Sequence, residues 1–251
     1  MPRPLFRTFA SLVTACFILS ALPASAAAQW PPQRLENVQV LPEDIEVREL
    51  IGIMAGFTRA LGVRCTYCHV GEEGQPISTY DFPSDEKVTK RKARIMLGML
   101  QAINGQHLAQ LPVDSADRLV VQCATCHRGQ PRPVTLAQAI TAVLDEHGAD
   151  SAVAFYAGLR ERFYGRATYD FGVGSLNTLG YQLLRGGRAD DAVVIFQLNV
   201  EMYPENANGY DSLGDGHKAA GHPQAALRNY LAAFELNPGM RGLQARIDSL
   251  K

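Results

Sequence analysis

The chain has 251 residues, of which 47% are hydrophobic and 20% charged, and its formal net charge is −1. This composition excludes a disordered or collagen-like chain, and the lack of a basic excess argues against nucleic-acid binding. The length allows one large domain or two small ones. Five cysteines are too few for a disulfide-stapled scaffold, so their positions matter more than their number.

Residues 1–26 have the features of a secretory signal peptide. Arg3 and Arg7 precede an apolar run, and Ala24-Ser25-Ala26 forms a small-x-small cleavage site. The run of about 14 apolar residues is shorter than the roughly 20 that span a bilayer. An alternative is a lipoprotein cleavage box ending at Cys16, which would tether the protein to a membrane. We predict a periplasmic or otherwise exported protein, associated with a membrane through a partner rather than through Cys16.

Four of the five cysteines occupy two C-x-x-C-H motifs, at 65–69 and 123–127. This spacing is the attachment signature of c-type heme, because two thiols reach the two vinyl groups on one heme edge and the next histidine reaches the iron. Two motifs predict two covalently bound hemes. The predicted attachment cysteines are Cys65, Cys68, Cys123 and Cys126, and the predicted proximal ligands are His69 and His127.

Three other uses of these cysteines have to be weighed. Zinc ribbons place their cysteine pairs about 15–20 residues apart, whereas 54 residues separate Cys68 from Cys123 here. Disulfide pairing and a thioredoxin-type redox pair are the other two, but no βαβ pattern surrounds either motif. Both motifs also carry the adjacent histidine, so the sequence favours heme.

A six-coordinate heme needs a distal ligand, which is usually methionine or histidine in electron-transfer cytochromes. The pattern at 46–61 predicts an amphipathic helix that ends at Gly62 and presents Met54 just before the first motif. A second helix is predicted over 85–104. It offers Met96 and Met99, with His107 shortly after, and the pattern alone does not choose among these three for the second iron.

The chain around both motifs resembles the tetraheme cytochrome subunit of bacterial photosynthetic reaction centres. The matching cores are 61–69, 93–96, 102–104 and 123–129, which correspond to one half of that subunit, a pair of heme units. In that family each unit is a helix, a turn and a heme motif, and the helix carries the distal methionine. The resemblance therefore implies Met54 for the first heme and Met96, rather than Met99, for the second.

The same resemblance implies an electron carrier whose partner is a membrane-bound reaction centre, although a two-heme version could equally serve a respiratory complex. A family histidine near the place of His107 ligates a heme in the half that this sequence lacks. For His107 a surface or propionate-contacting role is therefore expected.

A run of basic residues crowds the start of the predicted second helix. Two functions are open for it: docking an acidic redox partner, or pairing with heme propionates. A solvated helix face is the third interpretation. The run comprises Lys87, Lys90, Arg91, Lys92 and Arg94.

Past residue 134 the sequence is cysteine-free and shows a 34-residue period. Equivalent positions are Leu176 and Tyr210, Leu179 and Leu213, Gly180 and Gly214, Ala192 and Ala226, Phe196 and Tyr230, and Pro204 and Pro238. The period is similar to the tetratricopeptide repeat, a helix-turn-helix unit in which a small residue lets the paired helices approach closely. A degenerate preceding helix is predicted at 150–165 and a capping helix at 240–250. Such a module predicts a protein-interaction surface.

The complete prediction is an all-α protein with a signal peptide (1–26), a diheme cytochrome c domain (27–134) and a tetratricopeptide-like repeat domain (135–251). Its predicted function is one-electron transfer between redox protein partners, without an enzymatic reaction. One alternative is a diheme enzyme such as a peroxidase, which needs an iron with an open position. The other is a repeat-based scaffold or redox sensor.

Overall fold

The computed structural model describes residues 30–114 and 116–251. Over these residues the chain is helical and forms no β-strand beyond an isolated bridge between Val70 and Asp81. The predicted all-α class is confirmed. The predicted signal peptide, with Cys16, lies outside the described residues. The α-helices in chain order are α1 (Val47–Leu61), α2 (Val88–Ala102), α3 (Cys123–His127), α4 (Leu136–Phe163), α5 (Val173–Arg185), α6 (Ala189–Met202), α7 (Ala207–Ala219), α8 (Pro223–Leu236) and α9 (Leu243–Asp248).

Helix α1 begins one residue after its predicted start and ends at the predicted residue, Leu61. It follows Glu46, whose backbone is extended, and it ends where Gly62 adopts a left-handed conformation with φ 65°. Glycine suits this position because it has no Cβ to clash with the following carbonyl. The Gly62 amide donates to the Thr58 carbonyl, so the chain turns sharply toward the first motif.

Helix α2 is shorter than predicted at both ends. It begins at Val88 instead of residue 85, because Asp85 remains in the preceding loop and pairs with Lys90 and Arg94. It ends at Ala102 and continues as one turn of π-helix, Ile103–His107.

The C-terminal part forms the helical hairpins that the 34-residue period predicts. Helix α5 pairs with α6, and α7 pairs with α8. A Cβ built on Gly180 would lie 2.3 Å from the Phe196 ring, and one built on Gly214 would lie 2.4 Å from the Tyr230 ring. The two glycines thus let equivalent helix pairs pack closely, which confirms the predicted role of this position.

The flanking helices also form, with different bounds. The segment predicted as a helix at 150–165 is the second half of α4, which begins at Leu136 and is interrupted at Gly148, where φ is 80°. The predicted capping helix at 240–250 is the short α9, and it packs against α8.

Burial is distributed very unevenly along the chain. Both clusters of buried hydrophobic side chains lie within residues 136–247. Among the described residues from 30 to 134, only Ile45 and Ala60 are buried hydrophobics, and α2 contains no buried residue. A segment of this length needs a larger apolar core to fold stably.

None of the helices in the described part of the chain combines the length and the apolar character needed to cross a bilayer.

Candidate cofactor-binding site

The first motif folds as a helical turn. Residues Cys65–Tyr67 form a single 3-10 turn, and the amides of Cys68 and His69 donate to the Cys65 carbonyl at 3.1 and 2.9 Å. Residues three apart in such a turn share a face, so both thiols lie on one side of it. The histidine follows at once, which is the arrangement that covalent heme attachment requires.

The start of α2 holds this turn in place. The Lys87 ammonium donates to the Thr66 carbonyl, and the Thr89 hydroxyl donates to the Tyr67 carbonyl. These bonds satisfy the carbonyls of two residues inside the motif. The second helix therefore supports the first motif as well as preceding the second one.

The second motif is helix α3 itself. Gln122 and Thr125 form a capping box at its start, and the chain leaves it through Arg128 (φ 49°) and Gly129 (φ 88°). This reversal brings the Gln130 carbonyl 2.9 Å from Nδ1 of His127. A histidine whose Nδ1–H is bound in this way presents Nε2 to a metal.

The residues at both motifs fit c-type heme. Burial raises the pKa of the Cys68 and Cys123 thiols. No three His, Cys, Asp or Glu side chains converge as a metal-binding group within residues 30–114 and 116–251.

The candidate distal ligands lie on the helices that the sequence indicates. Met54 is half-buried on α1, whereas Met96 and Met99 are exposed on α2 to the same extent, 49% each. His107 is exposed at the end of the π-turn. Exposure does not distinguish Met96 from Met99, so the assignment of the second distal ligand stays a prediction.

The His69 ring contacts Phe82, which belongs to a small group of aromatic side chains. Its ring packs edge-on against Phe82 with centroids 4.9 Å apart, and Trp30 and Tyr80 lie 5.0 and 5.8 Å from the same Phe82 ring. Burial lowers the pKa of His69, and the nearby charge of Lys90 lowers it further, so the imidazole is held in the neutral form that binds iron. The Phe82 carbonyl opposes this shift of the His69 pKa. The same carbonyl accepts a hydrogen bond from the Lys90 ammonium. Nδ1 of His69 is buried and has no hydrogen-bond partner in the described chain.

The basic run, for which docking, propionate pairing and a solvated face were all open, makes many contacts within the chain. The Lys90 ammonium donates to the carbonyls of residues 82, 83 and 84 at 2.8–2.9 Å and pairs with Asp85 at 3.1 Å. Arg94 also pairs with Asp85 and donates to the Asn37 carbonyl, while Arg91 donates to the carbonyls of residues 85 and 86. Four of the five side chains of the run, Lys87, Lys90, Arg91 and Arg94, therefore contact other parts of the chain.

The pKa of Asp85 is well below its usual value, chiefly because it accepts hydrogen bonds from Arg94 and Asn37. The loop at 82–86 is thus organised by cations on α2. The neighbouring Lys92 is exposed on the same helix.

Lys90→Met tests this role of the basic run. We expect the free energy of unfolding to fall by about 2–3 kcal/mol, because three carbonyls lose a charged donor whose side chain is only 12% exposed. Chemical denaturation of the heme-loaded protein measures the loss, with Lys92→Met as the control of equal charge change. Equal stability of the two variants would contradict this role.

Sequence reasoning missed a side-chain clamp between α2 and the second motif. The Asn104 carboxamide donates to the Val121 carbonyl and accepts from the Val121 amide, both at 2.8 Å. Both halves of the amide are thereby used to fix the segment that leads into Cys123. A sequence signal for this contact did exist, because Asn104 belongs to the segment 102–104 that matches the family pattern.

Sequence reasoning also missed the junction around residues 128–130. The Gly129 amide donates to the Ala60 carbonyl at 2.8 Å, so the loop after the second motif joins the end of α1. From the repeats, the Thr168 hydroxyl donates to the Arg128 carbonyl at 2.6 Å and the Tyr169 hydroxyl to Gln130 Oε1 at 2.5 Å. No sequence pattern marks Thr168 and Tyr169, which lie about 40 residues from Arg128 and Gln130 along the chain.

Comparisons with known proteins point to one family. Residues 13–155 match the family described as Photosynthetic reaction centre cytochrome C subunit. Cytochrome c-554 of Chloroflexus aurantiacus is 33% identical over 103 residues, which is 38% of this chain and 22% of that protein. The Photosynthetic reaction center cytochrome c subunit of Thermochromatium tepidum is 33% identical over 100 residues, which is 39% of this chain and 21% of that protein. The match spans about a fifth of the length of these relatives.

Among solved structures, the one described as "First TPR of Spaghetti (RPAP3) bound to HSP90 peptide SRMEEVD" is similar to 46% of this chain and 86% of its own chain. The sequence identity is 14% and the TM-score is 0.32.

Proposed function

This chain belongs to the photosynthetic reaction centre cytochrome c subunit family, and from that premise we propose that it binds two covalent c-type hemes and carries single electrons between redox proteins. The relatives support a cytochrome-type electron-transfer role. One observation carries the finer proposal: both C-x-x-C-H segments fold as helical turns with two thiols on one face and a histidine directly after them.

The residues divide the work as follows. Cys65, Cys68, Cys123 and Cys126 would form the thioether bonds, His69 and His127 would be the proximal iron ligands, and Met54 and Met96 would be the distal ones. Heme supplies one-electron chemistry at iron, and methionine–histidine ligation raises its reduction potential.

The chain's own contribution is rigidity. The His127 ring is held by the Gln130 carbonyl, and the His69 ring is packed against Phe82. Ligands that the chain holds in place would need little rearrangement when a bound heme gains or loses an electron. This supports an electron carrier over the peroxidase alternative, which needs a ligand that leaves.

We propose the domain boundaries that the sequence indicates: a leader at 1–26, the cytochrome domain at 27–134 and the repeat domain at 135–251. The position of both buried clusters after residue 135 supports the second boundary. The half-buried apolar side chains before it support a core completed by porphyrin. Export is part of this proposal, since c-type heme is attached outside the cytoplasm.

The partners we propose are redox proteins, such as a membrane-bound reaction centre or a respiratory complex, with the repeat domain binding protein. The family supports the first of these, and the paired helices of α5 to α8 support the second.

The decisive experiment is heme counting followed by a redox titration. The full-length chain is produced with c-type maturation, and heme per protein is measured in the native form, in Cys65→Ala/Cys68→Ala and in Cys123→Ala/Cys126→Ala. We expect two hemes in the native form and one in each variant, both six-coordinate and of high potential. One heme in the native form, or carbon monoxide binding to reduced native protein, would overturn the proposal.

A further inference from the structure

The loop that follows the second motif is fastened by the repeat domain. Arg128 is one of two non-glycine residues in the described chain with positive φ, so its backbone is in an unfavourable region. The Thr168 hydroxyl donates to the carbonyl of this same residue. Thr168 is only 8% exposed, so the bond is shielded from water.

The next contact reaches closer to the iron ligand. The Gln130 carbonyl accepts from Nδ1 of His127, and the Gln130 side chain accepts from the Tyr169 hydroxyl. The same residue therefore contacts the histidine through its backbone and the repeat domain through its carboxamide. Fixing the carboxamide limits how far the carbonyl can move from the imidazole.

Tyr169 is itself firmly placed. It is buried, and its ring packs edge-on against Phe163 at 5.5 Å and Phe171 at 6.1 Å. Both rings belong to the main hydrophobic cluster of the repeats. An unbroken series of contacts thus runs from that cluster through Tyr169 and Gln130 to the proximal histidine.

We propose that Tyr169 and Thr168 are positioning residues through which the repeat domain sets the reduction potential of the second heme. The proposal rests on the proposed function. A hydrogen bond to Nδ1–H makes the imidazole a more basic ligand, which favours the ferric iron and lowers the potential. Loosening Gln130 weakens that bond, so the potential of this heme rises.

Tyr169→Phe in the heme-loaded protein is the direct test, because it removes one hydroxyl and keeps the ring. The matched control is Tyr181→Phe, which removes a hydroxyl that donates to Asp215 inside the repeats at 2.8 Å. We expect Tyr169→Phe to raise the reduction potential of one of the two hemes. The equilibrium constant for its reduction should increase roughly three- to tenfold, where tenfold equals about 59 mV for one electron. The other potential stays unchanged, and Tyr181→Phe moves neither.

A double-mutant cycle with Gln130→Leu shows whether the effect passes through Gln130. We expect the potential shift of Tyr169→Phe/Gln130→Leu to equal that of Gln130→Leu alone, because both changes break the same contact. The variant without the second motif, Cys123→Ala/Cys126→Ala, assigns the potential that moves. Melting temperatures of both tyrosine variants show whether their losses of stability are comparable.

The outcomes separate this proposal from the proposed function. Two hemes with potentials unaffected by Tyr169→Phe would overturn the positioning role and leave the electron carrier intact. Equal shifts in Tyr169→Phe and Tyr181→Phe would reduce the role to general stability and overturn it as well. A chain without two hemes would fail at the counting step, before any potential is compared.

Discussion

Gly62→Ala is expected to lower the free energy of unfolding of the heme-loaded protein by about 2–4 kcal/mol, because it adds left-handed strain and a backbone clash at one position. The φ of 65° at residue 62 disfavours any Cβ. In addition, that Cβ would lie 2.1 Å from the Gly129 carbonyl oxygen. Because the atom it meets is backbone, no side-chain rotation relieves the contact.

The clash is also expected to separate the two heme units. The Gly129 amide bonds to Ala60, so moving Gly129 away from α1 breaks that bond and disturbs the turn that follows His127. Chemical denaturation gives the stability loss, and the absorption bands of the hemes report the disturbance.

Gly187→Ala is the matched control for Gly62. Gly187 also has a left-handed backbone, with φ 75°, but a Cβ there meets no atom within 4 Å. It therefore measures the conformational strain alone, about 1–2 kcal/mol. If the two variants lose the same stability, the close approach of α1 to the second motif is refuted as a source of the effect.

Met96→His is expected to lower the potential of the second heme by on the order of 0.1–0.2 V, a fraction of the roughly 0.8 V range that axial ligands span. Histidine is a stronger donor than thioether sulfur and stabilises the ferric iron. A spectroscopic redox titration measures the shift. Replacing the ligand instead of deleting it keeps the iron six-coordinate.

Met99→Leu is the control, because Met99 lies one turn along α2 and is exposed to the same degree as Met96. It is expected to leave both potentials unchanged. If Met99→Leu abolishes six-coordination of one heme while Met96→His leaves the potentials in place, Met99 is the distal ligand and the choice that the family resemblance implies is wrong.

The parts of this fold that sequence predicts are those fixed by local chemistry. Gly62 marks the end of α1 because only a residue tolerant of positive φ fits there. The 34-residue spacing of Gly180 and Gly214 predicts close packing of the helix pairs, and the structure has it at both glycines. In each case the determining interaction lies within one helix or one helix pair, so the local sequence pattern is enough to predict it.

The parts that sequence does not predict depend on distant partners. The sequence around the run of five cations shows no partner for them. In the structure the Arg94 guanidinium donates to the carbonyl of Asn37, which is 57 residues earlier. The same contacts explain the late start of α2, since Asp85 is held outside the helix. The bond between Tyr169 and Gln130 is likewise invisible without the fold, because neither residue belongs to a motif.

The uneven burial has a consequence for how the molecule is made. The C-terminal helices bury their own apolar side chains, whereas the described residues from 30 to 134 contribute two buried hydrophobics. If the chain binds heme as proposed, the porphyrin would complete the core of this segment, so that cofactor loading would also be a step of its folding. Thr168 and Tyr169 of the C-terminal part then hold the loop after the second motif, through their hydrogen bonds to Arg128 and Gln130.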